Sequence, residues 1–221
     1  MRFITSYIVL ITLCLSCKNT TSLESDQKMA KLPPVQTQPV EGYERAYFAS
    51  GCFWCVEVIF ESIKGVKEAV SGYSGGFEEH PTYKEVSYGK TNHAEAVEVF
   101  YNPDTVSYRN LVIAFFGSHD PTALYRQGPD RGKQYRSIAF YQNEKEKRII
   151  DSIVTQLNET VYDGEIVTQI LPFQKFWEAE TYHQNYEQKH PNDPYIIGVS
   201  VPRLNRFKKQ FPDLLKDQAH L

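Results

Sequence analysis

Two cysteines stand three residues apart in Gly51-Cys52-Phe53-Trp54-Cys55-Val56-Glu57, and their types and spacing are those of redox or metal chemistry. The residues before them, Arg45 to Ser50 (RAYFAS), are short, aromatic-containing and stopped by Gly51, which reads as a strand. After them Val56, Ile59, Phe60 and Ile63 recur at helical spacing until Gly65. Cys52 is therefore expected at a helix N-terminus, where free amide groups and the positive end of the helix dipole favour a thiolate. An ordinary thiol titrates near about 8.5, so such help matters at neutral pH. A buried structural cysteine would fit the same place. Cys55 falls on the same helical face, within reach of a disulfide after modest adjustment. A zinc site would need two further soft ligands. No cysteine follows Cys55, and His80, His93, His119, His183 and His190 lack ligand spacing, so no metal is expected. Phe53 and Trp54 offer two large rings that could cradle a methyl group beside the sulfur, or simply fill the core. Glu95 opens an apolar strand in Asn92-His93-Ala94-Glu95-Ala96-Val97. A carboxyl against an apolar face can keep its proton at neutral pH and act as an acid; an exposed strand-end glutamate is the plain alternative.

The elements that must position these residues are legible from periodicity. Val66–Tyr73 and Ala94–Tyr101 read as strands, the second alternating Ala96, Glu98 and Phe100 with Val97, Val99 and Tyr101. A short helical turn is expected after Pro81, and Tyr108–Gly117 reads as an apolar helix. Residues 118–135 form a polar loop of a length that is often functional. Ile138–Tyr141 reads as a strand, and Asn143 caps an amphipathic helix reaching about Leu157. Ile166–Leu171 reads as a strand, Phe173 to about Lys189 as a helix, and Val201–Leu215 as an amphipathic helix with Phe207, Phe211 and Leu214 on one side. Strands interspersed with helices, several able to pair antiparallel, predict a single α/β (α+β) domain: a two-layer sandwich with a mixed β-sheet.

Outside that domain the chain changes character. Arg2 precedes a mostly apolar run from Ile4 to Leu15, too short to span about 30 Å of hydrocarbon and typical of a secretory signal. Leu15-Ser16-Cys17 is similar to a bacterial lipobox, with Cys14 where leucine is usual, so Cys17 is a candidate for lipid attachment; a cleaved signal with incidental cysteines is the alternative. Residues 18–42, polar and carrying Pro33, Pro34 and Pro39, read as a flexible tether. The expected organisation is a leader over 1–17, tether over 18–42, folded domain over 43–200 and C-terminal helical extension over 201–221. Export to the cell envelope follows, lipid-anchored on the periplasmic or surface side. The formal net charge of −3, from 24 basic and 27 acidic side chains without a basic stripe, argues against nucleic acid.

The blocks GCFWCVE, SGYSGG, PTYKEVSYG, NHAEAVEV, SHDPT and RQGPDRGKQYRS, in this order and spacing, resemble the A-type peptide methionine sulfoxide reductases from about Ala46 to Tyr186. The resemblance implies a ferredoxin-like plait and reduction of the S epimer of methionine sulfoxide, free or in oxidised proteins. It further implies no cofactor beyond a thiol reductant, usually thioredoxin. It makes Cys52 the nucleophile, Glu95 the acid that protonates the sulfoxide oxygen, and Tyr83 and Tyr135 the hydroxyls that bind that oxygen. Phe53 and Trp54 would hold the methyl group, and Asp130 would organise the site. Many members carry a resolving cysteine in a C-terminal tail. Residues 191–221 contain none, so Cys55 is expected to resolve a Cys52 sulfenic acid, with direct attack by an external thiol as the alternative. Two other functions share part of the pattern: a thiol–disulfide oxidoreductase, which would not need Glu95 with both tyrosines, and a binding module that captures oxidised methionine without turnover.

Overall fold

A computed structural model describes residues 20–217, so Cys14, Cys17 and the leader lie outside the described residues. In chain order the helices are α1 (Thr20–Met29), α2 (Phe53–Glu61), α3 (Tyr83–Ser87), α4 (Tyr108–Gly117), α5 (Glu144–Thr160), α6 (Tyr186–Lys189) and α7 (Val201–Gln210). The strands are β1 (Glu44–Ser50), β2 (Val66–Ser74), β3 (Ala94–Tyr101), β4 (Arg126–Gln127), β5 (Asp130–Arg131), β6 (Ser137–Tyr141), β7 (Gln169–Pro172) and β8 (Trp177–Glu178). Six of these form one mixed sheet in the order β7-β6-β1-β3-β2-β8, and β4 and β5 make a separate hairpin. Both β1 and β2 run antiparallel to β3, which lies between them, and α2 crosses over from one to the other. Likewise β3 and β6 flank β1, joined through α4. Two such split β-α-β units around a four-stranded centre are the plait topology. A parallel β6-α5-β7 unit widens one side and the short β8 closes the other.

Alternation along β1 decides the layering. Ala46 and Phe48 face the larger core with Val97, Val99 and the apolar sides of α2 and α4, where Phe48 stacks on Phe60 and Phe115. Tyr47 and Ala49 face the other way, into a second cluster with Ala94, Ala96, Ile138 and Phe140. Both faces of the sheet are thus buried, and the second needs a cover.

That need corrects the expected tether. Within 18–42, helix α1 places Met29 in the second cluster, with Leu32 packed against it. Asp26 pairs with the buried Arg136 at 3.4 Å, the Val35 amide donates to the Phe173 carbonyl, and Thr37 bonds Gln142. The helix expected over 173–189 is also replaced, by β8, a 3-10 turn at Thr181–His183 and the short α6. Distant partners hold those residues: Phe173 stacks on Tyr47 at 3.7 Å, and β8 pairs Trp177 with Tyr73. The strand expected at 166–171 is shifted to β7. The polar loop over 118–135 contains the β4-β5 hairpin and a 3-10 turn at Lys133–Tyr135. The extension at 201–221 is part of the domain as far as it is described. Phe207 is buried, Phe211 lies so close over Gly117 that a Cβ there would sit 2.2 Å from its ring, and Leu215 bridges Ile63.

Candidate active site

The chain leaves β1 through Ser50 and turns at Gly51, whose φ of +89° disfavours a side chain and where a Cβ would stand 2.6 Å from Gln127. Cys52 is the N-cap of α2, and Phe53 is its first residue. The Phe53 amide, one of the free donors at that helix start, donates to Glu95 Oε2 at 3.1 Å. Glu95 sits in the middle of the sheet on β3, 2 % exposed. Burial pushes its carboxyl from an ordinary 4.5 up to about 8, against the pull of the Phe53 amide. At neutral pH it holds a proton. One oxygen is taken by the amide, so the other is left to present that proton.

Tyr83, Tyr135 and Asp130 come from three further elements. Thr82 caps α3 in a reciprocal capping box with Glu85, and the Tyr83 amide donates to Glu180 Oε1, so α3 is fixed at its start. Tyr135 ends the 3-10 turn after the β4-β5 hairpin, and Asp130 lies on β5. Burial raises both phenols, Tyr83 to about 12, with the Glu95 charge as the next contribution, so both are hydroxyl donors at working pH. A cavity of about 220 Å³ is lined by Cys52, Phe53, Trp54, Tyr83, Glu95, Asp130 and Tyr135, together with Asp193 and Tyr195. Seven residues singled out in the sequence therefore share one concave site. Cys55 is not among the described residues lining it.

Asp193 and Tyr195 are absent from the sequence expectations. The Tyr195 hydroxyl donates to Asp130 Oδ2 at 2.6 Å, and Asp193 Oδ1 accepts from the Tyr195 amide. Two further residues complete the aromatic wall: Trp54 stacks on Tyr186 at 3.8 Å, and its Nε1 donates to His183 Nδ1 at 3.3 Å. The one signal for this group is the turn-rich Pro191-Asn192-Asp193-Pro194-Tyr195, easily overlooked beyond a stretch that reads as helix.

The cysteines depart from expectation in their charge. Burial, then the neighbouring Cys55, hold the Cys52 thiol well above its usual range. Cys55 is brought down to about 6, first by a hydrogen bond from Cys52, with the Arg203 charge, Ser200 and Tyr195 adding to this against burial. Burial thus outweighs the position of Cys52 at the helix start. Of the two thiols, Cys52 holds its proton the more tightly.

A cysteine thiol, a proton-holding carboxyl and phenol donors around one small aromatic-walled cavity fit a thiol-dependent oxidoreductase site. The model of the peptide methionine sulfoxide reductase family matches residues 44–215. The peptide methionine sulfoxide reductase MsrA 2 of Synechocystis sp. is 42% identical over 193 residues, 85% of this chain and 90% of that protein. MsrA of Thermus thermophilus is 44% identical over 173 residues, 78% of this chain and 98% of that one. Among solved structures, reduced Mxr1 from Saccharomyces cerevisiae superposes with a TM-score of 0.67 at 32% identity, covering 75% of this chain and 93% of its own. Methionine sulfoxide reductase A of Corynebacterium diphtheriae gives 0.61, also at 32%, covering 74% and 87%. The chain belongs to the peptide methionine sulfoxide reductase family, and its activity is thiol-dependent reduction of methionine sulfoxide.

Proposed function

We propose that this chain reduces the S epimer of methionine sulfoxide, free or in oxidised proteins, with Cys52 as nucleophile and Cys55 as resolving thiol. The observation that carries the reading is the convergence on one cavity of the Cys52 sulfur, the protonated Glu95 and the Tyr83 and Tyr135 hydroxyls. The substrate methyl group rests on Phe53 and Trp54, and its oxygen faces the two phenols. As Cys52 attacks the sulfoxide sulfur, its proton passes to Cys55 along their hydrogen bond, and Glu95 protonates the oxygen. A Cys52–sulfur bond forms; transfer of the hydroxyl to Cys52 then releases methionine and leaves a Cys52 sulfenic acid. The substrate sulfur has gained two electrons and the cysteine has lost two. The Cys55 thiol next attacks the sulfenic sulfur, its proton leaves with the hydroxyl as water, and a Cys52–Cys55 disulfide remains. A thioredoxin-like dithiol restores the pair. Asp130 acts through Tyr195, holding its hydroxyl against the cavity.

The test is to incubate the protein with separated R and S epimers and dithiothreitol and to measure methionine. Turnover of S alone, lost in Cys52→Ser, is expected; activity toward neither epimer removes the assignment.

The same proposal places the enzyme in the cell envelope, lipid-attached at Cys17. It is supported by the order of Arg2, the apolar residues 4–15 and Ser16-Cys17. Mass analysis of the mature N-terminus decides it: an unmodified start elsewhere than Cys17 rules out the anchor.

A further inference from the structure

The two sulfurs that the proposed disulfide would join are free thiols here and have different surroundings. Cys52 lines the cavity and is 6 % exposed, whereas Cys55, one turn along α2, is 1 % exposed and faces into the molecule. The C-terminal segment closes over it. Tyr195 sets its hydroxyl 3.8 Å from Cys55 Sγ and is itself tied to Asp130. A π-helical turn, Ile196–Ser200, then leads into α7, which packs on α2 and carries Arg203. That guanidinium is 6 % exposed and pinned: its Nε donates to the Ser118 carbonyl at 2.7 Å and its Nη2 to the Ser50 carbonyl at 3.0 Å. A Cβ on Gly51 would stand 3.6 Å from Arg203 Nη1, so the positive charge lies directly behind the turn that carries the cysteines.

Thiol–disulfide exchange proceeds through attack along the S–S axis, so the attacked sulfur must be open on the side away from its partner. Cys52 borders the cavity, whereas Cys55 lies against Tyr195 on a helix that packs on α7. We propose that the recycling dithiol attacks Cys52 rather than the resolving cysteine, and that Cys55 is the leaving sulfur, expelled as a thiolate into the positive enclosure made by the C-terminal segment. This rests on the Cys52–Cys55 disulfide proposed above. In the step, a thiolate of the reductant forms a bond to Cys52 Sγ, the Cys52–Cys55 bond breaks, and its electron pair leaves on Cys55. The second thiolate of the reductant then attacks its own bonded sulfur, becomes oxidised to a disulfide and releases Cys52, which takes up a proton. The low titration of Cys55 suits it to leave first. On this reading the C-terminal segment, which brings no cysteine of its own, contributes the enclosure that sets the direction of opening.

The experiment uses the whole chain. It is oxidised with one equivalent of methionine sulfoxide, and the intramolecular disulfide is verified by mass and by resistance to alkylation. A thioredoxin whose second cysteine is replaced by serine is then added, and the trapped complex is alkylated, digested in acid and mapped. A bridge from the thioredoxin cysteine to Cys52, with Cys55 alkylated, is expected. A bridge to Cys55 with Cys52 alkylated overturns the proposal, and so does an intact disulfide that yields no complex. Absence of the intramolecular disulfide at the first stage, before reductant is added, instead removes the resolving role of Cys55 and this proposal with it.

Discussion

Glu95, in the role of acid proposed for it, would serve chemistry at the expense of the fold. Its folded-state value of about 8 lies above the ordinary 4.5, because β3 holds it among apolar neighbours. The folded chain therefore binds this proton more tightly than the unfolded chain. The resulting stabilisation is full below about 4.5 and is lost as pH climbs through about 8, where the folded protein must carry a buried carboxylate. Single-turnover methionine formation is expected to rise as the cysteine pair loses the first of its two protons near 6 and to fall as Glu95 loses its own near 8. In Glu95→Gln the rate is expected to drop by about 10²- to 10⁴-fold and the alkaline fall to disappear. The same variant should melt at a higher temperature than the parent above pH 8 and at a similar one near pH 5. A rapid-quench profile and paired melting curves check both, and an undiminished rate in Glu95→Gln would withdraw the acid role.

Elements differ in how far their own residues declare them. β1, β3, α4 and α5 follow their periodicity because their partners are met face on: Phe48 and Val97 pair across β1 and β3, and Asn143 caps α5 through the Glu146 amide. The Gly51-Cys52 turn is also visible, since a strand ending at glycine before a helical repeat has few other solutions. What could not be read depends on contacts far along the chain. Trp177 becomes an edge strand only because Tyr73 lies beside it, and α1 docks through a charge. Asp26 is 8 % exposed, meets the 3 % exposed Arg136 and accepts from Gln169 Nε2 at 2.6 Å. Arg136 follows Tyr135 directly and also donates to the Gly75 and Asn92 carbonyls, so α1 braces the segment that presents a site tyrosine. Removing one partner of a buried ion pair leaves the other uncompensated. Asp26→Ala is expected to cost about 3 kcal/mol, read as a lower urea midpoint at unchanged slope. Asp26→Asn keeps the shape and loses only the charge, so a midpoint equal to the parent's would show that packing, not the ion pair, holds α1.

At the scale of the whole molecule, the sheet is buried on two faces by two different kinds of cover. One is the helical layer of α2, α4, α5 and α7, of which α2 brings Phe53 and Trp54 to the cavity and, with α7, encloses Cys55. The other is the segment from α1 to Thr37, which lies over Tyr47, Ile138, Phe140 and Phe173 and contributes none of the cavity-lining residues. Stability and activity are therefore separable by where the chain is cut. A chain begun at Tyr43, where composition alone would start the domain, retains every residue of the cavity. It loses the burial of Met29, about 1.5–3 kcal/mol, and the Asp26–Arg136 pair, about 3 kcal/mol. Relative to a chain begun at Lys18, the unfolding free energy is expected to fall by about 4.5–6 kcal/mol, while KM for methionine sulfoxide measured well below the melting temperature stays unchanged. Equal urea midpoints for the two chains would mean that the second face of the sheet is stable without its cover. A raised KM at low temperature would mean that α1 reaches the site through Arg136 and Tyr135 and is part of the catalytic scaffold as well as the fold.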